Sequence, residues 1–366
     1  MKKIFSLIIA IILMFSLTAC GAGPDIEVNY VAEYTREFEG ITLNVFNWGE
    51  YISDGSEDTL NVNKEFEELT GININYTTYD SNESMYGKLK SGGIAFDIVI
   101  PSDYMIERLI NEDLLYEFDV TELSNYKYID NKYKNLFFDS ENKYSVPYNV
   151  GMVGLIYNTT IVEGTPDSWS IMWDKKYTNN ILNFNNPRDA FAISQFLLGI
   201  DLNTTNQSDW QRAALKLKEQ KPIIQSYAMD EVYDKMEGEQ AAIAAYYAGD
   251  CMQMIESNPN LAFVYPKEGT NIFVDSICIP KASKNVEAAK LYINYLLEPD
   301  IALANAEKLC YASPNTAVVS NENYSYKDSE ILYPNEDQMP KTEYFHDLTP
   351  TVRSYYESLW TEVKNS

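Results

Sequence analysis

Residues 41–46 (ITLNVF) alternate apolar and polar side chains, which predicts a strand. NKEFEELTG at 63–71 instead spaces its apolar residues helically, with Gly71 in the position of a stop. ININ at 72–75 opens another alternating stretch, SMYGKLKSGG reads as a short helix closed by glycines, and FDIVI at 96–100 is the uninterrupted apolar run of a strand buried on both faces. AAIAAYY at 241–247 and FVDSICIP at 273–280 also read as strands. Ala288, Leu291, Tyr292, Tyr295 and Leu296 follow at i, i+3, i+4, i+7 and i+8, an amphipathic helix that Pro299 should end. This succession predicts α/β layers with parallel strands. No internal repeat, low-complexity run or linker is visible, so two lobes should be joined by strands rather than by a flexible tether.

The start of the chain breaks the pattern. Lys2 and Lys3 precede an apolar run too short, and too closely followed by small residues, for a stable membrane span, which marks residues 1–19 as a secretion signal. The run closes on Leu17-Thr18-Ala19-Cys20, which resembles a bacterial lipobox and implies a lipidated Cys20, with a tether over 20–40. The remaining length, with 45% hydrophobic and 13% aromatic residues, suits two lobes. A formal charge of −26 argues against nucleic acid as a partner and permits a cationic ligand. Cys251, Cys278 and Cys310 have no metal-type spacing and read as buried small hydrophobes, one disulfide with a spare thiol being the other option. His346 is the sole histidine, which excludes multi-His metal sites and leaves one candidate for any His-dependent triad.

Chemistry collects where the strands end, the place where open α/β sheets hold ligands. Trp48, Glu50 and Tyr51 follow the first strand; Ser102, Asp103 and Tyr104 follow FDIVI; Tyr247 and Asp250 follow AAIAAYY; Phe273 and Asp275 accompany the next strand. Asp189 in NNPRDAF and Tyr311 in CYASPN join them. Aromatic faces attract cations by roughly 0.5 to 2 kcal/mol each, and a charged hydrogen bond from an ammonium to a carboxylate adds about 1.5 to 3. Aromatics and acids together describe an amine cage. Trp169 and Trp173, four residues apart, are assigned to packing.

NWGEY at 47–51, YDSNESMYGKL at 79–89, FDIVIPSDY at 96–104, YSVPY at 144–148, VYPKEG at 264–269, DSICIP at 275–280 and YASPN at 311–315 resemble the periplasmic spermidine/putrescine-binding proteins. The resemblance runs from about residue 41 to the C-terminus. It implies the type II periplasmic-binding fold, an α/β architecture of two lobes joined by crossing strands near 148–152 and Phe273, with the ligand closed between them. Lobe 1 would comprise 41–150 and 274–319, and lobe 2 would comprise 151–273 and 320–366. It implies polyamine methylenes sandwiched by Trp48, Tyr51, Tyr104, Tyr247, Phe273 and Tyr311, amines held by Asp189, Asp250 and Asp275, and a hydroxyl from Ser102. Glu50, Asp103, Asn186 and Phe345 are lesser candidates.

Some residues depart from that family's pattern. Tyr247 and Phe273 stand where spermidine-selective relatives tend to carry Trp, Asn186 where they are acidic, and Phe345 where they are polar. YAGD at 247–250 resembles the W-A-G-D pattern of the putrescine branch, a slight tilt toward putrescine. The resemblance implies an extracytoplasmic, monomeric carrier, anchored to the membrane through Cys20, that delivers a polyamine to an ABC permease, with no cofactor, metal or catalysis. Two rivals stand beside it. Tyr246 and Tyr247 resemble the paired tyrosines of ferric-ion-binding proteins of the same fold, so another cation, iron or a quaternary amine, is an alternative, although adjacent strand residues should point to opposite faces. A secreted glycosidase would need two of these acids as a catalytic pair.

Overall fold

The computed structural model describes residues 28–335 and 337–366. The signal segment 1–19 and Cys20 lie outside the described residues. In chain order the first flank is built from β1 (Thr42–Trp48), α1 (Val62–Thr70), β2 (Asn73–Tyr79), α2 (Asn82–Ser91), β3 (Ile98–Val99) and α3 (Asp103–Asn111). Helix α1 forms as its pattern dictates. The Asn61 side chain caps its start by accepting from Lys64 N, Val62, Phe66 and Thr70 bury one face, and Gly71 ends it with φ 73°.

Strand β4 (Ser145–Asn158) then leads to the second flank: β5 (Ile181–Phe184), α4 (Pro187–Leu198), α5 (Gln207–Gln220), β6 (Ser226–Ala228), α6 (Glu231–Glu237), β7 (Ile243–Tyr247), α7 (Ala248–Ser257) and β8 (Leu261–Val264). Strand β9 (Thr270–Cys278) returns to the first flank, where α8 (Val286–Leu296), α9 (Pro299–Leu309) and α10 (Thr316–Val319) complete it. Pro299 ends α8 as expected and also opens α9, where its missing N–H costs nothing. Finally β10 (Thr342–Glu343) pairs with β9, and α11 (Pro350–Lys364) packs on the second flank, with Tyr356 stacked 4.9 Å from Trp210.

The strands run in the order β2-β1-β3-β9-β4-β7-β5-β6. The expectation of parallel strands holds within each flank, where β1 pairs in parallel with β2 and β3, and β5 with β6 and β7. It fails at the centre. There β4 and β9 pair antiparallel with each other, and also with β7 and β3 respectively. Every residue of both strands is buried, so their apolar runs report burial on two faces but not direction. These two strands pass from one flank to the other, placing Gly151 opposite Phe273 and Asn149 opposite Asp275.

The described part of the 20–40 tether, residues 28–40, is not loose. Fully buried Glu298 accepts from Val31 N at 2.8 Å, Ala32 N at 2.9 Å and the Tyr34 hydroxyl at 2.8 Å, and so fixes this segment to the first flank. Trp169 and Trp173 lie in a 3-10 turn rather than an α-helix and pack as expected, their indoles donating to Gly269 O and Lys216 O. Cys251, Cys278 and Cys310 are free and buried.

Candidate binding site

Between the flanks lies a cavity of about 90 Å3 whose walls come from the ends of β1, β2, β3 and β7 and from the middle of β9. Trp48, the last residue of β1, is held in the cavity wall by an indole hydrogen bond to Ile100 O at 2.9 Å and by the Tyr79 ring 4.7 Å away. Tyr51 meets Tyr311 edge to face at 5.3 Å, and Phe273 meets Tyr247 the same way at 5.6 Å. Two glycines make room for these rings. A Cβ on Gly151 would fall 2.3 Å from Phe273 Cζ, and one on Gly249 would fall 2.4 Å from Tyr311 Cδ2. The glycine of YAGD is thereby explained by steric need.

Three aspartates each accept a tyrosine hydroxyl: Asp275 from Tyr51 at 2.7 Å, Asp250 from Tyr311 at 2.9 Å, and Asp189 from Tyr247 at 2.7 Å. Each pairing orients one carboxylate oxygen, and the Tyr233 hydroxyl also bears on Asp250. Asp275 Oδ1 is buried without any partner. Asp189 and Asp250 sit in the first turns of α4 and α7, where the helix dipole favours negative charge. Asp275 differs from expectation, lying within β9 rather than after it. Burial pushes Asp189 and Asp250 up to about 7 and Asp275 up to about 6, with like-charged neighbours adding to the first two. An ammonium here would meet acids poised to lose a proton.

Ser102 caps α3 by position and exchanges hydrogen bonds with Asn82, 3.1 and 3.2 Å, while its backbone bridges to Asp275. Asp103 lines the cavity, yet its carboxylate is engaged by Tyr104 N at 2.7 Å and Val274 N at 3.2 Å, and burial raises its pKa well above the usual range. The far end is closed by Tyr104 and Phe345, edge to face at 5.9 Å, with the buried Arg188 guanidinium 4.4 Å from the Phe345 ring. Asn186 lines this end too, its side chain spent on capping α4 through Arg188 N.

Glu50 is the candidate that the cavity does not include; it lines a second, outer cavity. In the turn after β1 the left-handed residue is Glu50, at φ 47°. Tyr246 joins Tyr247 in the cavity wall, with ring centroids 5.2 Å apart. Both lie within β7, whose last residue, Tyr247, leads directly into α7. Sequence reasoning missed Tyr79, Asp80, Asn82, Met229, Asp230 and Asn271, which also line the cavity. Asp80 and Asn82 lie inside a quoted motif and were within reach; Met229, Asp230 and Asn271 carried no such signal.

The family model described as "Bacterial extracellular solute-binding protein" matches residues 61–332. The spermidine/putrescine-binding periplasmic protein of Salmonella typhimurium is 32% identical over 87% of this chain and 91% of its own length. The putrescine-binding periplasmic protein PotF of Escherichia coli is 29% identical over 90% and 93%. Among solved structures, a Listeria monocytogenes chain assigned to spermidine/putrescine ABC transport superposes with TM-score 0.83 at 36% identity, covering 88% of this chain and 98% of its own. The spermidine/putrescine ABC transporter substrate-binding protein of Streptococcus pneumoniae does so with TM-score 0.75 at 34% identity, over 89% and 99%.

Proposed function

The chain belongs to the bacterial extracellular solute-binding proteins, among the spermidine/putrescine-binding relatives, and on that premise we propose that it captures a polyamine between its two lobes for import by an ABC transporter. The observation that carries this is Asp275 Oδ1, a buried carboxylate oxygen with no partner, facing an aromatic-walled cavity that holds two further tyrosine-oriented aspartates. An ammonium supplies the missing donor and the opposite charge together. The rings of Trp48, Tyr51, Tyr104, Tyr247, Phe273 and Tyr311 then contact the methylenes, and Asp189, Asp250 and Asp275 take the amines, with Ser102 contributing its hydroxyl.

The carrier performs no catalysis, acts as a monomer and hands its ligand to permease subunits. Its lobes follow the 41–150 with 274–319 and 151–273 with 320–366 division, supported by the return of β10 to β9 and of α11 to the second flank. Lipidation at Cys20 would hold it to the outer face of the cell membrane; LTAC after the apolar run supports this.

A thermal-shift panel of putrescine, cadaverine, spermidine, spermine, choline and Fe(III) tests the reading, because a ligand that binds only the native state must raise the melting temperature. Polyamines should stabilise and the other two should not. A shift from Fe(III) or choline without one from any polyamine would overturn the assignment.

A further inference from the structure

The two central strands set Asn149 directly opposite Asp275, as they set Gly151 opposite Phe273. Directly opposed residues of an antiparallel pair project to the same face, so Asn149 stands beside the cavity aspartate, on the face of β4 that the Phe273 ring covers at Gly151. The register of β4 on β9 shifts between Pro147 and Asn149, the kind of irregularity that re-aims a neighbouring side chain. Asn149 is 3% exposed, and among the described residues its amide Nδ2 has no hydrogen-bond partner. Nearly all buried donors are paired, so an orphan this close to the site needs a reason.

The reason lies in Tyr51. Burial raises its hydroxyl well above the ordinary phenol value, the Asp275 carboxylate adds to this, and the Asn149 side chain opposes both. Only a donor to the phenol oxygen acts in that direction, so Nδ2 is the atom turned to Tyr51. The other polar groups of Tyr51 are committed. Its hydroxyl proton goes to Asp275 Oδ2 at 2.7 Å, and its carbonyl accepts from Asn47 Nδ2 and the Tyr148 hydroxyl, both at 3.1 Å. The acceptor side of the phenol oxygen is what remains, and Asn149 is the donor placed for it.

Resting on the polyamine reading, we infer that Asn149 is a positioning residue: its amide donates to the Tyr51 hydroxyl, Tyr51 donates to Asp275 Oδ2, and this chain keeps Asp275 charged with Oδ1 free for the ammonium. A hydroxyl that accepts a hydrogen bond becomes a better donor, so the first link strengthens the second. Asp275 depends on such support. Burial works against its charge, and the groups that favour it are the Ser102 and Tyr51 side chains. The carboxylates coupled to it, Asp103, Asp189 and Asp250, all carry its own sign, and Tyr79 gives its hydroxyl proton to Ile100 O instead. Of the two supporting donors, Asn149 governs one without touching the ligand.

The test is calorimetric titration of putrescine, with spermidine in parallel, at pH 6, 7 and 8 in buffers of different ionisation enthalpy. The proteins are wild type, Asn149→Leu, the smaller Asn149→Ala in case leucine does not fit, Tyr51→Phe, the Asn149→Leu/Tyr51→Phe pair, and Asn183→Leu, which removes a buried amide that serves Gln220. Asp275 titrates at about 6 in wild type. If loss of the amide raises its proton affinity tenfold, the ratio of affinity at pH 8 to that at pH 6 grows about fivefold, and about 0.4 more proton leaves per ligand at pH 7. Tyr51→Phe should show the same change, the paired variant no further one, and Asn183→Leu only a lower melting temperature. Affinity lost equally at every pH in both Asn149 variants would make Asn149 a packing residue, and a further change in the paired variant would mean that it does not act through Tyr51. Either result overturns the relay and leaves polyamine capture standing. Binding of neither polyamine to wild type would overturn capture and relay together.

Discussion

Lowering the pH from 8 to 6 should weaken polyamine binding steeply. The inner acids must be ionised to hold ammonium groups, yet burial raises Asp189 and Asp250 to about 7 and Asp275 to about 6. A carboxyl of this kind divides the affinity by 1 + 10^(pKa − pH). That factor is about 1.1 for each of the first two at pH 8 and about 11 at pH 6, while for Asp275 it goes from near 1 to about 2. If all three acids serve, affinity falls about 200-fold, or roughly 3 kcal/mol; if Asp275 and one other serve, about 20-fold. Titration calorimetry at both pH values, in buffers of different ionisation enthalpy, gives the affinity and counts protons released. At pH 6 about two protons should leave per ligand if all three acids ionise.

The unliganded protein should show the opposite trend. These aspartates have folded-state values above the ordinary carboxylate value, so the folded state binds more protons, and their stabilising contribution, complete below about 4, is lost as the pH rises through 6 to 7. Melting temperature without ligand should therefore be higher at pH 5 than at pH 8, and the gain from ligand should be larger at pH 8. Affinity independent of pH, with no proton release, would refute the assignment of these acids to the amines.

Asp275→Asn should cost about 2 to 5 kcal/mol of binding, since it strands an ammonium beside the oxygen that now lacks charge, whereas Asp103→Asn, whose carboxylate serves two backbone N–H groups, should cost less in calorimetry. Trp48→Ala should lose more than about 1 kcal/mol through ring and apolar contact, and Trp48→Leu should recover part of it, while Glu50→Gln should mainly slow association in a salt-dependent way by stopped flow. Gly249→Ala forces the Tyr311 ring to move and should weaken binding about 10-fold or more while the protein still melts cooperatively; unchanged affinity would mean that the ring is not a wall of the site.

What the sequence disclosed and what it hid have physical reasons. Trp48, Tyr51, Tyr104, Tyr247 and Asp250 follow or end strands, and a strand's end is visible wherever an apolar run gives way to polar and aromatic residues. The antiparallel passage of β4 and β9 was invisible because a strand buried on both faces has the same composition in either direction. Asp230 was missed because it stands in MDEVYD, an acid-rich stretch like any solvated surface, and only the folding of α6 against the Trp48 loop brings it to the cavity. Tyr246 and Tyr247 both lie within β7 and both line the cavity, which strand alternation does not anticipate. Glu50, one of the lesser candidates, neighbours two cavity residues in the chain but lines the outer cavity, from a left-handed backbone.

Phe273, Asp275 and Gly151 all sit on β4 and β9, the two strands that both flanks share. On the proposed reading, recognition and articulation are consequently written in the same stretch of backbone. A substitution that retunes the grip on the ligand, such as a larger ring at 273, also presses on the opposite strand at 151 and changes how the two halves are set relative to each other. Evolution toward a different cargo should therefore be easier through residues outside this shared ribbon, such as Asp230 or Asn186, than through the central pair itself.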